Sequence, residues 1–319
     1  MKPVWKRILQ VSLIALGVFF VARFGLRFPW NEAADALIKT DLAILSAAIA
    51  VNLTSLLAKG WAWHLLLKPL AHNRWASAQE ANWIGATVNC LSVSVAGEAA
   101  RIQQIVRRDN VPPPAAVVSV VAERAVEGIG LALFLLLTTN LIPLPHSLAG
   151  FRLGAAIVLA ALIGFALLYR PQRLPERLPA FVRTGLSSLA QIGKSKGIIG
   201  PILLSLFNWL AQWMTFHLVL VAAGSHPTLA SSLVALLATN LAGFLRLTPS
   251  NVGIFQASMV MSLTPLGFTA AAALNASLVL QAIQVIPVVI IGFWLIGRQR
   301  LIKTIQESRR SRLSLSSPP

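Results

Sequence analysis

Apolar residues run for about twenty positions at a time along this chain, and most charged residues fall between the runs. Six runs lie at roughly 8–26, 41–66, 114–141, 150–170, 198–223 and 270–297. Each is long enough for a helix rising about 1.5 Å per residue to cross a hydrocarbon core of about 30 Å. Two further segments are interrupted. Residues 77–100 carry Glu80, Asn82, Asn89, Ser92, Ser94 and Glu98. Residues 228–264 carry Arg246 and the run Pro249-Ser250-Asn251-Val252-Gly253. Each of these reads as an apolar half, a break, and a second helical pattern.

Composition agrees with a membrane solvent. The 319 residues are 56% hydrophobic and 12% charged, against about a quarter charged in a soluble domain. That apolar content excludes a disordered chain. Cys90 is the single cysteine, so no intramolecular disulfide can form. The five histidines are scattered, with no pair at metal-ligand spacing, and no metal or other cofactor is expected. Gly193-Lys194-Ser195 looks like the end of a phosphate-binding loop, but Ser188 stands where that motif needs glycine. No ATP site is therefore expected.

The net charge of +17 comes from 27 Lys and Arg against 10 Asp and Glu. In a soluble protein it would suggest nucleic acid; the apolar spans exclude that partner. The basic residues gather in segments 1–7, 67–76, 101–113, 171–197 and 298–319, whereas the other side receives Arg27, Lys39 and Arg152. The positive-inside rule places the rich segments, and both termini, in the cytoplasm, with the chain multi-pass in the cell inner membrane. Segment 77–100 then has both flanks on the cytoplasmic side, and 228–264 has both on the far side. The expected fold is an all-α polytopic membrane protein. It has about six spanning helices and two re-entrant helical hairpins in an inverted-topology repeat. The first repeat covers 1–145, the second 146–300, and 301–319 is a disordered basic tail. Eight plain spans are the alternative.

Charge inside a bilayer is costly, so it marks function or pairing. Glu123 and Glu127 lie one turn apart on the third span with Arg124 beside them. Their face must look at the bundle interior or an aqueous cavity. The chemistry is either headgroup or proton handling, or an ion-pair lock with Arg101, Arg124 or Arg246. Gly97 permits a break, Glu98 opens the following helix, and Arg101 shares its face. Pro249, Ser250, Asn251 and Gly253 form a second break, with Gln256 after it. A helix start at either break offers backbone N–H groups to an anion such as a lipid phosphate. Arg246 adds a guanidinium suited to phosphate. Lys59, deep in the second span, is open to a pairing role.

Gly97-Glu98-x-x-Arg101, the basic Arg107-Arg108, and Glu123-Arg124 with Glu127 resemble the signature of the flippase-like membrane region of lysylphosphatidylglycerol synthases. Pro249 to Ala257 is similar to that family's Pro-Gly-x-x-Gly element. The likeness covers nearly the whole chain. Val95-Ala96 stands where the family often has Pro-Gly, Glu127 where it often has Asp, and Ser250 where it often has Gly. The family's soluble aminoacyl-transferase domain does not follow Arg312, which implies a stand-alone membrane domain. The resemblance implies a lipid translocase that moves a polar-headed lipid, such as an anionic phospholipid, between leaflets. The alternative is a membrane enzyme or accessory subunit of a glycolipid, hopanoid or aminoacyl-phospholipid pathway, with carboxylates as its catalytic groups. Membrane lipids are the expected partners; further copies of the chain or a pathway enzyme are candidates.

Overall fold

The computed structural model describes residues 38, 40–92, 96–142, 150, 153–157, 159–161, 180–194, 196–243 and 248–316. The first expected span at 8–26, much of the one at 150–170, and Arg246 lie outside the described residues. Within them the regular structure is helical, with no strand.

Helix α1 is Leu42–Leu67. Asp41 caps it, its carboxylate accepting the Ala43 and Ile44 backbone N–H groups at 2.9 and 3.1 Å. The interrupted segment that follows is two helices, α2 (Trp75–Leu91) and α3 (Ala96–Asp109). Asn110 ends α3 in the left-handed region at φ 52°. The Pro112-Pro113-Pro114 run then starts α4, Pro113–Leu141, because proline suits the first helical turn. Helix α5 is Ala180–Lys194 and α6 is Ile199–Ala222. Helix α6 ends on Gly224 at φ 73°, with Gly224 N–H on the Val221 carbonyl and Ser225 N–H on that of Leu220. This is a Schellman stop. The second interrupted segment gives α7 (Leu229–Gly243), a short turn at Pro249–Asn251, and α8 (Ile254–Leu263). Thr228 caps α7 through its hydroxyl. Helix α9 is Ala270–Ser316 with Pro287 inside it.

Helix α9 continues through 301–316, where composition argues for a disordered tail. An established helix adds one bond per residue fixed, and Leu, Arg, Lys, Gln and Glu are good formers, so propagation from the apolar part is cheap.

Helices α1, α6 and the Ala270–Leu301 part of α9 are long and apolar enough to cross a membrane. Most of their apolar surface faces outward: Leu42 is 73% exposed and Ile290 63%. Such faces would form large adhesive patches in water and suit a lipid surround. Helix α4 has the length, about 43 Å at 1.5 Å per residue, but carries Glu123, Arg124 and Glu127 in its middle.

The chain divides into two compact units. One holds residues 50–91, 95–212 and 284–319. Its largest packing is α2 on α3, with Trp63, Leu67, Ala78, Ala81 and Ile105 at the centre. A second cluster sets Leu66, Val118, Ala122 and Val126 against Ile192 of α5. Trp83 and Ile84 pack on Val288 and Leu295 of α9. The other unit includes residues 213–283. There α7 and α8 bury Leu233, Leu236, Met259 and Leu263 completely, and Phe216 meets Phe255 at 6.2 Å between ring centres.

Candidate functional site

Helices α2 and α3 approach closely because glycine stands on both sides of their crossing. A Cβ on Gly85 would lie 2.8 Å from the Gly97 carbonyl oxygen and 3.0 Å from Arg101 Cβ. A Cβ on Gly97 would run into the Gly85 carbonyl and the Asn89 amide. The Gly97 N–H donates to Asn89 Oδ1 at 3.0 Å, so a side chain of α2 caps the start of α3. This hairpin brings Glu98 and Arg101 to the flank of α4.

Arg101 and Glu123 form a bidentate ion pair; Arg101 Nη1 lies 3.2 Å from Glu123 Oε1 and 3.4 Å from Asn82 Oδ1. The Arg101 guanidinium also stacks 4.6 Å over the Trp63 ring, whose indole N–H donates to Ser119 Oγ at 2.9 Å. Arg101 is 4% exposed and Glu123 1%. The guanidinium is thus held on its fork and on its face. A pair this buried balances a large desolvation cost against attraction in a low dielectric.

Beside it runs a more open chain of alternating charge. Arg124 binds Glu98, and its Nη1 lies 2.7 Å from Glu127 Oε2. Lys59 Nζ lies 2.6 Å from Glu127 Oε1. The Trp209 indole N–H donates to the Glu127 backbone carbonyl at 3.1 Å. The Arg124 side chain is 43% exposed and that of Lys59 27%. Lys59, Asn82, Gly85, Asn89, Gly97, Glu98, Arg101 and Arg124 line a cavity of about 80 Å³. That is room for several waters. Lys59, Arg101 and Arg124 face Glu98, Glu123 and Glu127, so the formal charges cancel.

The second-half residues lie in the other unit and are organised differently. Ser250 and Asn251 adopt φ of 52° and 54°, and Gly253 87°. Such angles cost a side-chain-bearing residue about 1–2 kcal/mol. Amide and hydroxyl groups hold them. Thr248 Oγ1 donates to the Val252 carbonyl at 2.8 Å, and Gln281 Nε2 to that of Ser250 at 2.8 Å. Asn251 Nδ2 donates to the Gly243 carbonyl at 3.3 Å. The Gly253 N–H donates to Gln256 Oε1 at 2.7 Å, and Gln256 Nε2 to Gln281.

The structure therefore joins Gly97, Glu98, Arg101, Glu123, Arg124 and Glu127, all named from the sequence, in one cluster. The ion-pair lock left open by the sequence is present as Arg101–Glu123 and Arg124–Glu127. Pro249, Ser250, Asn251, Gly253 and Gln256 form a second cluster. At both helix starts, an N–H group expected to face an anion is already taken by a side-chain oxygen of Asn89 or Gln256. Asn82 and Asn89 entered the sequence reading only as interruptions of an apolar segment. An amide inside an otherwise apolar run is the signal that marks them. Asn82 Nδ2 also donates to the Leu56 carbonyl at 3.0 Å, which ties α2 to α1.

The family model described as lysylphosphatidylglycerol synthase TM region matches residues 7–292. The chain belongs to that family. No curated protein matches it. Membership of the lysylphosphatidylglycerol synthase TM region family, together with the outward apolar faces, makes this a membrane protein of a family concerned with lipid modification or translocation. The charged cluster lies wholly within the matched residues, as does the second break.

Proposed function

We propose that the chain is an integral lipid translocase of the cell inner membrane that moves a polar-headed lipid, such as an anionic phospholipid, between leaflets. In this reading the chain makes about six spans, and α2–α3 and α7–α8 are re-entrant hairpins of an inverted repeat with both termini cytoplasmic. The observation that carries the reading is the charge-balanced cluster beside the α2–α3 cavity. Six charges converge where α1, α3 and α4 meet, and charge at membrane depth marks a substrate or ion path.

The exposures assign different work to the cations. Arg101 is buried, with both terminal nitrogens on Glu123, and holds α3 against α4. Arg124 and Lys59 are the accessible pair. A phosphate entering the cavity would take over their bonds from Glu98 and Glu127, replacing carboxylate oxygens with phosphate oxygens of similar geometry. The released carboxylates would then bind a cationic headgroup group or a coupling proton. With no ATP site expected from the sequence, movement in this reading is downhill or ion-coupled. The amides of the second break would meet a lipid only by giving up bonds they already make.

Reconstitution in vesicles with labelled lipids tests this. Leaflet exchange should exceed that of protein-free vesicles and fall at least tenfold in Arg124→Gln. Equal rates with and without protein, across anionic and zwitterionic lipids, would sink the reading.

A further inference from the structure

A second charged corner lies two helical turns further along α3, about 10 Å beyond Arg101. Arg108 of α3 and Arg298 of α9 both bind the carboxylate of Glu80 on α2. Gln299 Nε2 donates to the same carboxylate at 3.1 Å. One carboxylate faces two guanidiniums, so the corner carries an uncompensated positive charge. Glu80 is nearly enclosed, whereas the side chains of Arg108 and Arg298 are 31% and 40% exposed. The Arg298 Nε–H is enclosed without an acceptor. Arg74 and Asp109 lie nearby but pair with each other at 2.9 Å, so they leave the charge balance of the corner unchanged.

The position is that of a membrane interface. The apolar stretch of α9 ends at Leu301, and the Arg298 guanidinium stacks 5.3 Å over Trp294, itself 61% exposed. An exposed tryptophan with arginine beside it at the end of an apolar helix belongs at headgroup depth. Guanidinium forks with spare donors and excess charge match a phosphate with several acceptor oxygens, and basic pockets between helices at this depth hold lipid headgroups.

We propose that the Glu80–Arg108–Arg298 corner binds the phosphate of an anionic phospholipid from the surrounding membrane, as a site separate from the α2–α3 cavity. It does not depend on translocation: the lipid is a resident ligand that completes the coordination of Arg108 and Arg298.

The test uses the full chain in detergent with phosphatidylglycerol or phosphatidylcholine, counting retained lipid by native mass spectrometry. Phosphatidylglycerol should be retained in preference. Arg298→Gln should weaken that retention about tenfold, the scale of one charge-assisted hydrogen bond. Glu80→Gln should strengthen it, because the competing carboxylate is gone. Arg298→Lys keeps the charge but not the fork; it should bind at an intermediate level, and it serves if the glutamine variant fails to fold. Retention unchanged in Arg298→Gln, or reduced in Glu80→Gln, overturns the proposal. So does displacement of phosphatidylglycerol by an equal concentration of inorganic phosphate, which would assign the corner to the free ion.

Discussion

The two helical breaks invite comparison. Each separates two helices, and at each a side-chain oxygen accepts a backbone N–H at the start of the second helix: Asn89 from Gly97, Gln256 from Gly253. Beyond that they diverge. The first is surrounded by ion pairs, with Arg101, Arg124 and Lys59 on three glutamates. The second is held, among the described residues, by amides and hydroxyls, with left-handed backbone at Ser250 and Asn251. Neutral hydrogen bonds fix a backbone at little electrostatic risk. Buried ion pairs contribute little net stability but are costly to break. A fold that needed only a bend would use the second solution twice. In the proposed function, this difference is what gives the first break a task beyond bending the chain.

Removing one partner of the buried pair should have the largest effect. Arg101→Met leaves Glu123 uncompensated at 1% exposure. Thermal unfolding in micelles should show a loss of about 3–5 kcal/mol, largely recovered when Glu123→Leu is added. If Arg101→Met is as stable as the parent, the pair is not locked. Gly97→Ala is expected next. Its new methyl meets the Gly85 carbonyl and the Asn89 amide, an overpacking of about 1–3 kcal/mol. Ser250→Gly at the other break should act in the opposite direction, raising stability by about 1 kcal/mol as the left-handed cost disappears. A loss there would mean that the Ser250 side chain contributes more than its backbone angle. Arg124→Gln should separate the two roles within the first cluster. It should lower exchange at least tenfold while lowering the unfolding temperature less than Arg101→Met does.

The smallest effect concerns acid. Asp109, at the end of α3, is buried, which alone would raise its pKa. Hydrogen bonds from the Arg74 backbone N–H, the Ser77 hydroxyl and the Arg74 guanidinium outweigh that and hold it below the ordinary carboxylate value. A depressed carboxylate stabilises the fold fully above its unfolded value of about 3.9, and the contribution is lost as pH falls through the folded value. Stability should therefore drop below about pH 4. Asp109→Asn should flatten that part of the profile, and an unchanged acid limb would show that other carboxylates set it.

Much of this was legible in the linear pattern. The runs at 41–66, 114–141 and 198–223 match α1, α4 and α6 within a residue or two, because run length and proline or glycine stops are local signals. The division of segments 77–100 and 228–264 into two helices each was visible in Ser94, Gly97 and Glu98 of the first and in Pro249 to Gly253 of the second. That Glu98, Arg101, Glu123, Arg124 and Glu127 would need partners followed from charge where an apolar solvent penalises it.

Partner choice could not be read in this way. Glu123 had several cations within plausible reach, and sequence spacing cannot decide between Arg101, 22 positions away, and Arg124 next to it. The α2–α3 crossing decides, since Gly85 and Gly97 let Arg101 slide in under Trp63. The same holds for Asn82, Asn89 and Lys59, whose roles depend on three helices meeting, and for Glu80, which α9 reaches across 218 positions. Apolar periodicity and charge determined by themselves that this chain lives in a membrane and where its polar chemistry is concentrated. Only the packing of α1 through α4 decided which cations are locked and which are open. Ion pairing depends on distances of a few ångströms between residues that the sequence leaves far apart.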